Sequence, residues 1–175
     1  MFFSRVSNQD ISGISRDEFL LMADSELVKH CRVEVFTGSG PGGQHRNRNY
    51  TAVRITFLLL AGITAEDCTH RSQKQNLDSA LQKLRINLAC CWRQKAPDCG
   101  EFTHRNQNNM LYALELAKLL DMLCSCNLDH KEAACRLNLS NSRLIKELAR
   151  EPEVWREFQR ARTRLGLFEL KMPGN

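Results

Sequence analysis

The sequence predicts an α+β fold. A short sheet of three to four strands is packed by one long helix, and an all-α C-terminal part follows. Three observations predict this. Residues 32–36, 50–59 and 63–69 carry strand patterns in quick succession, as an antiparallel or mixed sheet would. From Ser72 the apolar residues change to a helical period. After Arg105 the remaining apolar patterns are helical.

Each element follows from local chemistry. Residues 1–14 read as a loose or extended leader. Ser15 and Glu18 have the S-x-x-E form of a capping box, and Phe19, Leu20, Ala23, Leu27 and Val28 follow with helical spacing. One helix, or two pieces broken near Asp24, is expected up to about His30. The strand at 32–36 runs into a glycine-rich loop. In the second strand, Val53, Ile55 and Phe57 share one face, and Arg54 and Thr56 the other. Leu77, Leu81, Leu84 and Leu88, with Ala80, predict an amphipathic helix over 73–94. The first domain is therefore expected at 15–95.

Residues 96–105 contain Pro97 and Gly100 and read as a linker; 106–170 read as the helical domain. Helices are expected over 108–125, over 129–137 with Asp129 at the cap, and from Asn141 or Ser142 to Arg150. Pro152 suits the first turn of a last helix. Val154, Phe158, Ala161 and Leu165 form one face of that helix, and Gly166 ends it.

Composition excludes several classes. No apolar run approaches the roughly 20 residues of a membrane-spanning helix. The longest, 55–63, is interrupted by Thr56 and Gly62. The net charge of +5 is compatible with a nucleic-acid partner without demanding one. Eight cysteines include no C-x-x-C pair, so they read as small thiols in a reducing compartment rather than as metal ligands. No metal site is expected. The first residues lack the apolar stretch of a secretory signal, which makes the cytoplasm the expected location.

Gly38, Gly40 and Gly43 form a G-x-G-x-x-G after a strand. A dinucleotide site would need a helix next, but Gln44, His45, Arg46, Asn47, Arg48 and Asn49 lead into a strand pattern. A P-loop would need Lys-Ser/Thr after Gly43. The paired Gly42 and Gly43 instead permit positive φ and close backbone approach. Gln44 then sits at the tip of an exposed loop. Its amide cannot act as a base. It can orient water, or its backbone N–H can meet charge developing on a leaving oxygen. The basic and amide residues after it suit RNA phosphates and sugars.

Three ordered blocks carry a resemblance: S-G-P-G-G-Q-H-R-N at 39–47, A-V-R-I-T at 52–56, and R-S-Q-K-Q-N at 71–76, with Ala80 and Leu84 after it. This region resembles the catalytic domain of class I peptide chain release factors. The spelling is similar to that of the short, release-factor-like proteins without a codon-reading domain. The resemblance covers about residues 25–95. Arg46 stands where decoding factors carry an aliphatic residue, and Phe57 where many have His.

The resemblance implies a small domain built around the Gly-Gly-Gln loop and hydrolysis of the peptidyl-tRNA ester by water in the ribosome. Gly42 and Gly43 shape the tip, and Gln44 is the catalytic glutamine. Its implied partners are large-subunit rRNA, peptidyl-tRNA and a glutamine methyltransferase acting on Gln44. Asn47 supports the loop. His45, Arg46, Arg48, Arg54, Arg71, Gln73 and Asn76 are expected to contact RNA or support the loop base. No cofactor is implied, and a monomer is expected. Too little length remains for a decoding domain, so the expected activity is codon-independent release, as in ribosome rescue.

The C-terminal part leaves two readings open. Residues 131–145 have a helix-turn-helix flavour, with Ala134, Leu137, Leu139, Leu144, Ile145 and Leu148 as packing residues. Short helices joined by polar turns do the same in any small bundle. Arg156, Arg160, Arg162 and Arg164 offer either additional RNA contacts or a solvated helix face. The alternative to hydrolysis is a non-hydrolytic ribosome- or nucleic-acid-binding protein that uses this helical domain. A freestanding esterase is disfavoured, because no Ser/His/Asp or Cys/His set is recognisable.

Overall fold

The computed structural model describes residues 13–37 and 51–174. They fall into two compact units, one within Ile11–Leu88 and one from Ala89 onward. The architecture is α+β, as predicted.

In the first unit Ser15 caps helix α1 (Arg16–Leu21). The box is reciprocal: Glu18 N donates to Ser15 Oγ, and Glu18 Oε2 accepts from Ser15 N at 2.7 Å. The hydrogen bonds that Glu18 Oε2 accepts from Ser15 N and Ser15 Oγ hold its carboxyl below its usual range. The chain breaks at Met22 and restarts as α2 (Asp24–Leu27), so the helical stretch is two pieces. Phe19, Leu20 and Leu27 are fully buried. A 3-10 turn (Val28–His30) feeds β1 (Cys31–Phe36).

β2 (Ala52–Phe57) and β3 (Thr64–Asp67) complete an antiparallel sheet in the order β1-β2-β3. Val35 faces Val53, Val33 faces Ile55, and Arg54 faces Glu66. The predicted inner face of β2 is correct: Val53, Ile55 and Phe57 are buried and Arg54 is exposed. β1 differs from its pattern. Val33 and Val35 stay 38% and 41% exposed. Alternation identifies the faces of a strand but not whether a layer covers them, and β1 lies at the sheet edge.

Helix α3 (Gln73–Cys91) buries Ala80, Leu81, Leu84 and Leu88, while Leu77 is only partly covered. Arg85 is buried on this helix too. Its Nε donates to Leu20 O, Nη2 to Met22 O and Nη1 to Asp24 at 2.6 Å. The helix stops short of the predicted residue 94. Gln94 N donates to the Asp121 carboxylate at 3.1 Å instead of to a carbonyl of the preceding turn.

The second unit is helical, with α4 (Tyr112–Ser125), α5 (His130–Arg136), α6 (Asn141–Ala149) and α7 (Pro152–Arg164). α4 starts four residues later than expected because Asn106 and Asn109 close turns ahead of it. Asp129 caps α5 as predicted, and α6 opens at Asn141 as predicted, with Ser140 as its cap. α4, α5 and α7 end in the same way. Residues Asn127, Asn138 and Gly166 take positive φ, and paired backbone bonds close each end: Leu128 N to Leu123 O, Leu139 N to Ala134 O, and Leu167 N to Arg162 O.

Leu116, Leu120, Leu123, Leu144, Leu148, Val154, Trp155 and Phe158 fill this unit's core. Leu165, expected on that buried face, is 58% exposed, because α7 ends at Arg164 and the chain turns away at Gly166. Residues 95–105 have little regular structure yet are tied to the helices. Thr103 N donates to Glu115, Gly100 N to Arg136 O, and His104 Nδ1 lies 2.6 Å from Glu147. Arg93 and Asp121 form an ion pair at 3.1 Å with both side chains buried. All eight cysteines are free thiols. Burial raises Cys90, and pushes Cys31 and Cys124 up to about 11.

Candidate functional site

The glycine-rich loop joins the paired ends of β1 and β2. Phe36 faces Ala52 in the register, so the chain leaves and re-enters the sheet at neighbouring positions. Gly42, Gly43, Gln44, His45, Arg46, Asn47 and Arg48 lie outside the described residues. The base of the loop lies within them, and Asn76 dominates it.

Asn76 sits in the first turn of α3 and is fully buried. A buried amide is expensive unless its donors and acceptor are met. Here Nδ2 donates to Thr51 O at 2.7 Å and to His70 O at 3.0 Å, and Oδ1 accepts from His70 N at 2.8 Å. Thr51 is the first described residue after the loop. One side chain thus binds the loop's return strand, the turn after β3 and the start of α3. Arg71 and Gln73 flank this junction, and both are exposed. The Arg71 to Asn76 block divides accordingly: Asn76 faces inward, and Arg71 and Gln73 face solvent.

A second polar knot backs the junction. Asp67, at the end of β3, accepts from Thr69 N at 2.7 Å, from Thr69 Oγ1 at 2.6 Å and from Lys83 Nζ at 2.6 Å. Burial alone would raise its carboxyl pKa. The Lys83 and Thr69 hydrogen bonds, with the Lys83 charge, outweigh burial and hold it at about 2. Sequence reasoning passed over Asp67, Thr69 and Lys83. The D-x-T spacing is the local signal of such a turn, since an Asp side chain readily bonds the backbone two residues on. Lys83 and Asn87 also donate to the carbonyls of Glu66 and Thr64, lashing β3 to α3.

Arg54 lies on the outer face of the sheet. It pairs with Glu66 at 3.1 Å and stands 5.0 Å over the Phe36 ring. It is about half exposed, so its guanidinium remains open to a further anion.

In the helical unit Arg156, Arg160 and Arg164 recur every four residues and form one exposed stripe on α7. Arg156 lies 3.6 Å from Glu153, and Arg160 is hydrogen-bonded to Glu157 at 2.8 Å. Arg162 does not belong with them. It is buried, with Nη1 on Leu128 O and with Nε and Nη2 on Phe168 O, because its position faces the core between the exposed ones. It is an internal tie and not a surface contact. α5 and α6 pack together over Ala133, Ala134, Leu137, Leu144 and Leu148, while Leu139 and Ile145 are only partly covered. Arg143 and Lys146 face solvent on α6.

Among the described residues no group of three His, Cys, Asp or Glu side chains could hold a metal ion. No described helix is long and apolar enough to cross a membrane.

A loop-bearing antiparallel hairpin, a third strand and a helix whose first turn clamps the loop base define a domain of the release-factor type. A family model described as RF-1 domain matches residues 26–113, half of the chain, and the chain belongs to the class I peptide chain release factor family. Peptide chain release factor 1 of Parafrankia sp. (strain EAN1pec) is 45% identical over 76 residues, which cover 43% of this chain and 21% of that protein. Peptide chain release factor 1 of Xylella fastidiosa (strain 9a5c) is 42% identical over 76 residues, with the same coverage. The protein of the same name from Frankia casuarinae is 45% identical over 76 residues, again 43% and 21%. The chain therefore spans about a fifth of the length of the curated relatives it matches. No solved structure matches it.

Proposed function

We propose that this chain hydrolyses the peptidyl-tRNA ester on the ribosome without reading a codon. The observation that carries the proposal is the tripeptide Gly42, Gly43, Gln44 within an RF-1 domain whose loop base Asn76 holds at Thr51. Water attacks the ester carbonyl carbon, the bond to the tRNA ribose oxygen breaks, and that oxygen leaves with a proton. Gln44 orients the water, and its backbone N–H meets the charge growing on the leaving oxygen. The two glycines let this backbone approach the ester closely. The ribosome supplies the rest of the site.

His45, Arg46, Asn47, Arg48, Arg54, Arg71 and Gln73 contact rRNA or support the loop. The stripe of Arg156, Arg160 and Arg164 adds contacts to rRNA or tRNA. Such backbone contacts position a protein without reading sequence. On this reading the chain acts as a cytoplasmic monomer, and Gln44 is a substrate for a glutamine methyltransferase.

The test is peptide release from ribosomes with an empty A site and with a stop codon. The parent chain should release at the empty site, and Gln44→Ala should lose about 100-fold or more, as for loss of one positioned polar group. Equal release by Gln44→Ala would refute hydrolysis by this loop. Strict dependence on a stop codon would refute codon independence. A second reading, binding without hydrolysis, draws support from the packed α5–α6 pair with Arg143 and Lys146 exposed. It requires ribosome binding by Gln44→Ala together with no release by the parent chain.

A further inference from the structure

The sheet of the first unit treats its two edges differently. In an antiparallel pair, residues whose N–H and C=O point at the neighbouring strand alternate with residues whose groups point away. Phe57 N donates to Ile63 O at 2.9 Å, so the register of β2 with β3 leaves the backbone groups of Thr64 and Glu66 facing outward. Both carbonyls are met there. Asn87 Nδ2 donates to Thr64 O at 2.6 Å, and Lys83 Nζ donates to Glu66 O at 3.2 Å. Side chains of α3 therefore close the β3 edge.

The β1 edge lacks such a cover. Leu58 N donates to His30 O at 3.0 Å, which turns Arg32, Glu34 and Phe36 toward β2 and leaves the N–H and C=O of Val33 and Val35 facing outward. Among the described residues no donor or acceptor meets them, and β1 has one neighbouring strand. The Val33 and Val35 side chains are 38% and 41% exposed. Protected edges carry a proline, a bulge or repelling charges. β1 contains no proline, keeps an unbroken register from Cys31 to Phe36, and carries one exposed cation and one exposed anion, Arg32 and Glu34. These two lie 3.7 Å apart within the strand, beyond hydrogen-bond range, so their donors and acceptors remain available.

This pattern complements itself. Antiparallel pairing of two copies about Val33 sets Val33 against Val33, Cys31 against Val35, and Arg32 against Glu34 on both sides of the centre. The two Val33 residues exchange backbone bonds, and Val35 N donates to Cys31 O; Cys31 N is already engaged by Val28 O. Arg32 and Glu34 then fall on non-hydrogen-bonded pairs, where side chains approach most closely. One face of the joined sheet matches apolar with apolar, and the other matches cation with anion. Moving the centre to Glu34 would oppose the two carboxylates, which selects the register about Val33.

We infer that β1 is a self-association edge, through which two copies join their sheets antiparallel about Val33. The pair is a form off the ribosome, and the monomer proposed above is the form that acts there. The inference does not rest on hydrolysis by the Gln44 loop, and it is tested without ribosomes, so the two readings fail separately.

The experiment is sedimentation equilibrium of the full chain under reducing conditions. The parent should show a monomer–dimer equilibrium at concentrations up to about 1 mM. Arg32→Glu and Glu34→Arg should each weaken it about 10-fold or more, because every charged cross-strand pair becomes like-charged. An equal mixture of the two variants should dimerise as the parent does, since one chain then presents acids where the other presents bases. The chain carrying both substitutions should do the same. Amide exchange at Val33 and Val35 should slow as the concentration rises. A parent that stays monomeric throughout overturns the inference, as does a dimer that neither substitution weakens or a mixture that fails to pair. Val33 and Val35 amides protected equally at every concentration would assign the edge to another segment of the same chain, and would overturn it too.

Discussion

Replacing Asn76 by Ala tests whether one amide organises the base of the glycine-rich loop. The substitution removes three hydrogen bonds at 2.7, 2.8 and 3.0 Å and strands their backbone partners on Thr51 and His70. Each net bond is worth about 1 kcal/mol, and a buried group left unmet costs about 1–3 kcal/mol. Because Thr51 and His70 regain some water when the side chain shrinks, the expected loss is about 3 kcal/mol. Urea unfolding at pH 7 reads it as a shift in midpoint at unchanged slope. Asn76→Asp sharpens the test. It keeps the acceptor for His70 N but turns an oxygen toward the carbonyls of Thr51 and His70, so it should be at least as harmful as Ala. Amide exchange at His70 should quicken in the Ala variant before the rest of the sheet opens. A loss below about 1 kcal/mol for Ala, or an Asp variant as stable as the parent, would show that the clamp is not needed; the first outcome alone would place its value within the range of an ordinary solvated bond.

Two further perturbations address the scaffold. Asp67 has a folded-state pKa of about 2 against an ordinary value of 3.8. Its stabilisation, about 2 kcal/mol, is present above pH 4 and fades as the pH falls through 2. Asp67→Asn should therefore be destabilised at pH 7 and match the parent more closely near pH 2 in urea unfolding; an equal deficit at both values would refute this. Asp121→Ala leaves the buried Arg93 charge without its carboxylate and removes the acceptor for Gln94 N. It should cost about 3–5 kcal/mol in thermal or urea unfolding of the helical unit, and a loss under 1 kcal/mol would contradict the pair's role.

Much of this fold was legible because single periods sufficed. The alternation of Val53, Ile55 and Phe57, the helical spacing of Leu81, Leu84 and Leu88, and the capping pair Ser15 and Glu18 each record a local constraint that the structure keeps. The differences arise where a distant group decides. Val33 and Val35 have the right alternation, but coverage of an edge strand depends on what packs over it. The end of α3 is decided by Asp121, nearly thirty residues on. Arg162 reads as one more surface arginine until Leu128 and Phe168 supply the carbonyls that bury it. At the site, the three sequence blocks pointed to the loop and to Asn76. They did not separate inward Asn76 from outward Arg71 and Gln73, since that division is made by the packing of α3 on the return strand.

Arg85 has a consequence for the order of assembly. α1 and α2 are six and four residues long, far below the length at which a helix holds in isolation. Arg85 donates to Leu20 O and Met22 O, the carbonyls where the two helices meet, and reaches them across more than sixty residues of chain. Such bonds form only after that long loop has closed, and its closure entropy has to be met first by other contacts. The N-terminal helices are therefore expected to condense last, onto the hairpin and α3. Hydrogen exchange should then find the amides of residues 15–27 opening before those of the sheet beneath the glycine-rich loop.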